Sequence, residues 1–168
     1  MDQHISLEAV INFLVDTPLF RDLDAAERGD VARIMEVQRL ERGEHVFREG
    51  DEGDAWYVVF NGTANVMKDA GSTSTRIAAL GSGACFGEMA ILDGLSRSAS
   101  VVADGPLTVF RFRRERFGNL LDQGSLGAYK LVAAMARSLS QRQRVLTQQL
   151  AALTSGSSET LNQLRISE

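Results

Sequence analysis

Residues 86–101, FGEMAILDGLSRSASV, contain the side chains of this chain that are best suited to bind an anion. Gly87 allows the backbone to approach a ligand closely, and the apolar run after it predicts a short helical turn whose free N–H groups favour negative charge. Arg97 adds a planar set of donors that suits phosphate oxygens. Ser98 and Ala99 are small enough for their backbone N–H groups to reach the same phosphate.

Glu88 distinguishes this segment from a general anion site. A carboxylate beside a bound phosphate is repelled unless it faces a donor such as a ribose hydroxyl. Each residue alone has an ordinary explanation, since an Arg in a Ser-rich loop is often solvated and a Glu after Gly often favours a helix N-terminus. Together, Glu88 and Arg97 indicate a nucleotide rather than inorganic phosphate.

The pattern G-E-x-A-x-L-x-x-x-x-R-S-A resembles the phosphate-binding cassette of cyclic nucleotide-binding domains. That family includes bacterial catabolite activator proteins, protein kinase A regulatory subunits and cyclic-nucleotide-gated channels. The similarity extends over residues 7–153 and includes the turn GDEGD at residues 50–54. One departure is Ser96, which stands where many members carry proline.

The resemblance implies a role for each residue of the cassette. Arg97 is expected to hold the cyclic phosphate, and Glu88 the ribose 2′-hydroxyl. The expected ligand-binding residues are Gly87, Glu88, Met89, Ala90, Arg97, Ser98 and Ala99.

The base is expected to meet a different part of the chain. In the catabolite-activator branch a Thr-Ser pair on the long helix contacts adenine, and this chain has Arg142 and Gln143 at those positions. Gln143 donates and accepts, which suits adenine, whereas Arg142 only donates, which suits guanine O6 and N7. The hydroxyl of Ser98 is compatible with either base. The expected ligand is cAMP, with cGMP as the alternative.

Helical periodicity marks the beginning of the chain. Apolar residues at helical spacing predict a helix from Ile5 to Val15, and a second short helix is predicted from Asp24 toward Ile34. These two helices form an N-terminal cap.

Between residues 35 and 113 the segments shorten to strand length and alternate with turns. Gly50, Gly53 and Gly62 are expected to supply the positive φ that such turns require. The predicted fold is α+β: an antiparallel β jelly roll of about eight strands, with the helical cap, a short cassette helix and a long C-terminal helix.

The last part of the chain predicts a short helix at residues 114–121 and a long one at residues 125–153. Apolar residues of the long helix recur at the 3.5-residue spacing of a coiled-coil seam. Its a positions are Tyr129, Ala136, Gln143 and Leu150, and its d positions are Val132, Leu139, Leu146 and Leu153. The seam predicts a homodimer through this helix, and packing of the same stripe on the barrel is the alternative.

These elements predict one cyclic nucleotide-binding domain over residues 1–153. Its parts are the N-terminal helices at 1–34, the jelly roll at 35–113 and a hinge with the long helix at 114–153. Residues 154–168 predict a short polar tail that begins with a Ser-rich joint and carries no effector domain. We therefore expect a sensor that acts on its own dimer or on an unknown effector protein.

Composition limits the classes of binding partner and the cellular compartment that we expect for this chain. The net charge of −4 and the absence of a dominant basic run argue against DNA as a partner. No apolar run approaches the roughly 18 residues of a membrane span, and no leader is evident, so the cytoplasm is the expected location. Cys85 is the single cysteine, and it is expected to pack as a small hydrophobe in a reducing compartment.

Other classes of function fit the sequence less well. A cupin-type enzyme needs a metal held by several histidines, and this chain has only His4 and His45. A haem or iron–sulfur sensor is disfavoured by the lone cysteine. We therefore expect no catalytic residues, no metal and no cofactor. The remaining alternative is a ligand-independent protein-interaction module of the same fold with a degenerate pocket.

Overall fold

The computed structural model describes residues 5–71 and 73–165, with the backbone alone for residues 154–165. His4 and residues 166–168 of the predicted tail lie outside the described residues. The chain divides into two compact units, with the boundary after Val132.

Helices flank a set of eight strands in the described ranges. The helices are α1 (Leu7–Asp16), α2 (Ala25–Arg33), α3 (Glu88–Asp93), α4 (Arg114–Asp122) and α5 (Leu126–Arg165), and a 3₁₀ turn spans Pro18–Phe20. The strands are β1 (Met35–Leu40), β2 (His45–Phe47), β3 (Ala55–Asn61), β4 (Ala64–Ala70), β5 (Thr73–Leu80), β6 (Cys85–Phe86), β7 (Ser100–Ala103) and β8 (Leu107–Arg113).

The two N-terminal helices begin at side chains that cap them. The Ala9 N–H donates to Ser6 Oγ at 3.1 Å, which satisfies a free donor at the start of α1. At α2, the Glu27 N–H donates to Asp24 Oδ1 at 2.9 Å and the Asp24 N–H donates to Glu27 Oε2 at 2.8 Å, forming a capping box. Both helices predicted for this region are confirmed.

The strands form two four-stranded antiparallel sheets, with the orders β1-β8-β3-β6 and β2-β7-β4-β5. Most neighbouring strands are far apart in sequence, as when β8 lies between β1 and β3. This crossing order is that of a jelly roll. The predicted fold class is confirmed.

Apolar side chains lie on both faces of the first sheet. One face contributes Tyr57 and Val109 to the core between the sheets. On the other face Trp56 stacks on Phe112 with a centroid distance of 4.0 Å and meets Phe117 of α4 edge-on at 5.5 Å. Because both faces of β3 are buried, its sequence is a continuous apolar run rather than an alternating one.

The turn glycines serve two different purposes. Gly50 and Gly62 have φ of +85° and +94°, as predicted. The expectation for Gly53 is wrong, because its φ is not positive. A Cβ at Gly53 would lie 2.2 Å from the Cβ of Ala90, so this glycine is required for the close approach of α3.

Helix α5 is longer than predicted and continues to Arg165, across the Ser-rich segment. Elongation of an existing helix gains one hydrogen bond for each residue fixed, and Ser and Gly weaken a helix without ending it as Pro does. The predicted interruption after Leu153 is therefore wrong. The assignment of residues 154–168 to a separate tail stays a prediction.

The environment of Cys85 and the hydropathy of the helices bear on two further predictions. Cys85 is a thiol buried in β6, which agrees with its predicted packing role. Neither α5 nor any other helix in the described ranges combines the length and hydropathy that a bilayer crossing needs.

Substitution of Gly53 tests the close contact with α3. We expect Gly53→Ala to lower the free energy of unfolding by about 1–3 kcal/mol, because the added methyl overlaps Ala90. Gly29→Ala is the matched control, since Gly29 lies in α2 with open space around it. That substitution should raise stability by up to about 1 kcal/mol through helix propensity. Urea unfolding measures both, and an unchanged midpoint for Gly53→Ala would contradict the packing role.

Candidate functional site

The Arg97 side chain lies inside the jelly roll and is only 3 % exposed. Its Nη1 donates to the Gly87 carbonyl at 2.8 Å and its Nη2 donates to the Ala55 carbonyl at 2.7 Å. The carboxylate of Asp54 lies 3.4 Å from Nη2. Within the described residues, the buried Nε has no hydrogen-bond acceptor. One edge of the guanidinium is thus fixed by protein groups, whereas its Nε is not.

Two aromatic rings cover the guanidinium. Its central carbon lies 4.1 Å from the ring centroid of Phe47 and 5.8 Å from that of Tyr57, within the range of cation–π attraction. Burial lowers the pKa of Arg97, and neighbouring groups that include Asp54 oppose this effect. Because arginine starts from a very high pKa, the side chain stays charged. Burial also raises the pKa of the Tyr57 phenol, which is therefore neutral at neutral pH.

Backbone hydrogen bonds connect the cassette to the GDEGD turn. The Arg97 N–H donates to the Asp51 carbonyl at 2.8 Å, and the Gly50 N–H donates to the Arg97 carbonyl at 2.9 Å. The two motifs that stand out in the sequence are therefore one structural unit. The first residues of the turn hold the backbone of Arg97, while Asp54 at its end and Ala55 directly after it hold the side chain.

Gly87 provides the space that the arginine occupies. It is the N-cap of α3 with φ +74°, a conformation that favours glycine. A Cβ there would lie 2.8 Å from Arg97 Nη1 and 3.3 Å from the ring of Phe47. Any side chain at this position would displace the guanidinium.

The other predicted cassette residues are divided between the interior and the surface. Glu88, the first residue of α3, is 1 % exposed, and Ala99 is also buried. Ala90 is buried with its Cβ directed at Gly53. Met89 and Ser98 are exposed. Contact of these residues with a nucleotide stays a prediction.

The candidate base-contacting residues lie in the second unit. Arg142 Nη2 donates to Ser138 Oγ at 3.3 Å, and the Gln143 carbonyl accepts from Thr147 Oγ1 at 3.0 Å. Neither contact identifies a base, so these two assignments stay predictions.

Three arginines of β8 and α4 lie beside acidic side chains. Arg111 forms an ion pair with Asp54, and Arg113 donates to both oxygens of Glu36 at 2.8 and 3.0 Å. Arg116 lies 3.5 Å from the same Glu36 carboxylate. These three arginines share two carboxylates, and Asp54 also lies beside Arg97, so the cluster is only partly neutralised.

A cavity of about 310 Å³ opens near the aromatic cover of Arg97. Its lining includes Phe47, Tyr57, Asp54 and Arg111, and none of the predicted cassette residues. We therefore locate the candidate site by the buried guanidinium and not by this cavity.

Sequence reasoning missed several residues that hold Arg97. Asp54 is the second aspartate of the GDEGD turn, and this repetition is a signal that would have found it. Phe47 and Tyr57 carry no such signal, because an aromatic residue in a strand is ordinary. Their contact with Arg97 follows only from the pairing of the sheets.

The guanidinium of Arg97 bonds to the carbonyl of Gly87, the N-cap of the short helix α3. Together with the two antiparallel sheets, this arrangement defines a β jelly roll with a buried, inward-facing arginine. The sequence profile described as "Cyclic nucleotide-binding domain" matches residues 37–124, more than half of the chain. The chain belongs to the cyclic nucleotide-binding domain family.

Individual relatives support this assignment. The chain is 36% identical to a cAMP-dependent protein kinase regulatory subunit of Mycosarcoma maydis over 101 residues, which are 60% of this chain and 19% of that protein. It is 32% identical to a cGMP-dependent protein kinase of Caenorhabditis elegans over 124 residues, which are 72% of this chain and 16% of the relative. The chain thus spans less than a third of either protein.

A solved structure of similar size is a cyclic nucleotide-binding domain from Methylobacillus flagellatus. It superposes with a TM-score of 0.72 at 30% identity, and the match covers 82% of this chain and 78% of that one. The jelly roll and its helices are therefore a fold that the family shares.

Proposed function

We propose that this chain is a sensor of a cyclic mononucleotide, with cAMP as the ligand and cGMP as the alternative. The observation that carries the proposal is the buried Arg97, whose Nε is left to donate to a phosphate oxygen. Glu88, buried at the adjacent helix start, is the acceptor for a ribose hydroxyl. The relatives include both a cAMP-dependent and a cGMP-dependent kinase, so both ligands belong in the test.

An estimate of affinity explains why one side chain decides binding. A ligand of about 20 heavy atoms that gains roughly 0.3 kcal/mol per atom has a binding free energy of about −6 kcal/mol. This corresponds to a Kd of tens of micromolar. A charge-assisted hydrogen bond in a largely dry site adds about 1.5–3 kcal/mol, which brings binding to the micromolar range or below.

Removal of the guanidinium tests the ligand assignment. We expect Arg97→Ala to abolish measurable cAMP binding at micromolar ligand, and Glu88→Ala to weaken binding less, because a phosphate contact carries more charge than a hydroxyl contact. Arg42→Ala is the matched control, since this arginine lies exposed in the turn after β1. Calorimetric titration with cAMP and cGMP measures all variants.

The titration also distinguishes a cyclic nucleotide sensor from a ligand-independent protein-interaction module. If Arg97→Ala binds like the wild type, the site assignment is wrong. If the folded wild type binds neither nucleotide, a ligand-independent interaction module replaces the sensor.

We infer further that the ligand acts on α4 and α5 through the cassette. Arg114, the first residue of α4, donates its N–H to the Asp54 carbonyl at 2.7 Å and approaches the Gly53 carbonyl at 3.5 Å. A Cβ on Gly94, the C-cap of α3, would lie 3.4 Å from the Arg114 guanidinium. Movement of α3 toward a bound phosphate therefore repacks Arg114. The hinge, residues 114–153, shifts on ligand binding only if it has two conformations and the ligand binds one of them more tightly than the other.

Hydrogen exchange tests the hinge. We expect cAMP to change amide protection in residues 113–153, because movement of the cassette on binding is proposed to move α4 and the start of α5 with it. Residues 73–80 of β5, at the edge of the second sheet, provide an internal reference within the same sample. Unchanged protection across residues 113–153 at saturating cAMP would remove the switch while leaving the binding site intact.

The long helix is proposed to form a homodimer. Leu146, Leu150 and Leu153 of the predicted seam are all exposed. Exposed leucines at heptad spacing gain stability by packing against a second copy of the same helix.

Charge on the seam tests dimerisation. We expect the double variant Leu146→Glu/Leu150→Glu to sediment as a monomer at a concentration where the wild type sediments as a dimer, because like charges then face each other across the seam. Gln148→Glu is the control, since position 148 lies opposite the seam. A monomeric wild type at all concentrations would contradict the homodimer.

A further inference from the structure

Lys68 of β4 lies on the inner side of the second sheet. Ala64 is fully buried, and Val66 packs against the core between the sheets. The pairing passes from Val66↔Ala78 to Met67↔Arg76, so the extra residue is on β5 and the alternation along β4 is unbroken. Lys68 therefore shares the face of Ala64 and Val66.

The ammonium group of Lys68 is held by the cassette. Nζ donates to the Ser98 carbonyl at 2.8 Å and to Glu49 Oε1 at 2.5 Å. The Glu49 N–H in turn donates to Ser100 Oγ at 2.9 Å. Lys68 and Glu49 thus connect β4 with both ends of the segment that follows Arg97.

The bond to Ser98 fixes the peptide unit between Ser98 and Ala99. In a trans peptide the carbonyl oxygen and the following N–H point in opposite directions, and the described chain has no cis peptide bond. Because the Ser98 carbonyl points at Lys68, the Ala99 N–H points away from it. This N–H is one of the two backbone donors that the sequence predicts for the phosphate.

We propose that Lys68 is a positioning residue, which with Glu49 holds the Ser98–Ala99 peptide so that the Ala99 N–H donates to the phosphate of the bound nucleotide. The inference rests on the proposed function. It names a residue outside the cassette motif that sets affinity for the cyclic phosphate.

The charge state of the pair is consistent with this role. The hydrogen bond from Lys68 lowers the pKa of Glu49, and the backbone N–H of Asp69 acts in the same direction. Glu49 is therefore ionised at neutral pH. Since the two side chains are 47% and 27% exposed, the pair contributes little to overall stability. Its removal should leave the fold intact.

Lys68→Met keeps an unbranched apolar stem and removes the charge and the donors. We expect this variant to bind cAMP about tenfold more weakly, because the peptide is no longer held. Lys68→Arg retains a charged donor and should recover most of the affinity. Arg76→Met removes the same charge from an exposed position on β5 and should bind like the wild type. Calorimetric titration measures the four proteins.

A second readout distinguishes positioning from a general electrostatic effect. In the wild type, saturating cAMP should shift the amide proton resonance of Ala99 downfield, as expected for a new hydrogen bond to phosphate. In Lys68→Met at saturation this shift should be smaller, and in Lys68→Arg it should return.

The outcomes separate this proposal from the proposed function. If the wild type binds cAMP while Lys68→Met shows the same affinity and the same Ala99 shift, the positioning role is overturned and the sensor stands. Equal weakening by Arg76→Met also overturns it. A wild type that binds no cyclic nucleotide overturns both. If Lys68→Met does not fold, Glu49→Gln decides, with binding about threefold weaker supporting the role and unchanged binding overturning it.

Discussion

The burial of the Arg97 guanidinium is the constraint on which the rest of this structure depends. A cation removed from water needs hydrogen bonds and opposite charge nearby, because leaving it uncompensated costs on the order of several kcal/mol. The carbonyls of Ala55 and Gly87 supply the hydrogen bonds, while Asp54 lies 3.4 Å away and is itself more than half exposed. The interior therefore carries positive charge that is only partly compensated. In the proposed function, a bound phosphate would complete that compensation, so the groups that hold the buried arginine would also create affinity for a ligand.

Features whose determinants lie within a few residues of one another could be predicted from the sequence. The helices α1 and α2 begin at Ser6 and Asp24 because each cap bonds a backbone N–H three residues away. The cassette could be predicted for a similar reason, since Gly87 and Arg97 are only ten positions apart. The strands and turns of the jelly roll followed from alternation and from glycines such as Gly62 that have positive φ.

Features that depend on distant segments could not be predicted in this way. By sequence pattern Gly53 is another turn glycine, and only the packing of α3 against it, with Ala90 in contact, explains why glycine is required there. Lys68 reaches a carbonyl 30 positions away, and Arg97 one 42 positions away, through strand pairings that no local pattern encodes. The predicted end of α5 was wrong because that prediction relied on local composition alone. Local composition indicated a joint after Leu153, whereas propagation from the preceding helix overrides weak helix formers.

The net charge of −4 does not conflict with an anion site, because the two cations of the cassette region each lie beside one carboxylate. Arg97 is paired with Asp54, and Lys68 with Glu49. In physiological salt, charges more than about 8–10 Å from the site are screened. The overall charge of the chain therefore affects encounters with polyanions and not contacts inside the jelly roll. In the proposed function, a nucleotide brings a ribose as well as a phosphate, and a hydroxyl facing the buried Glu88 would add binding energy that inorganic phosphate cannot supply.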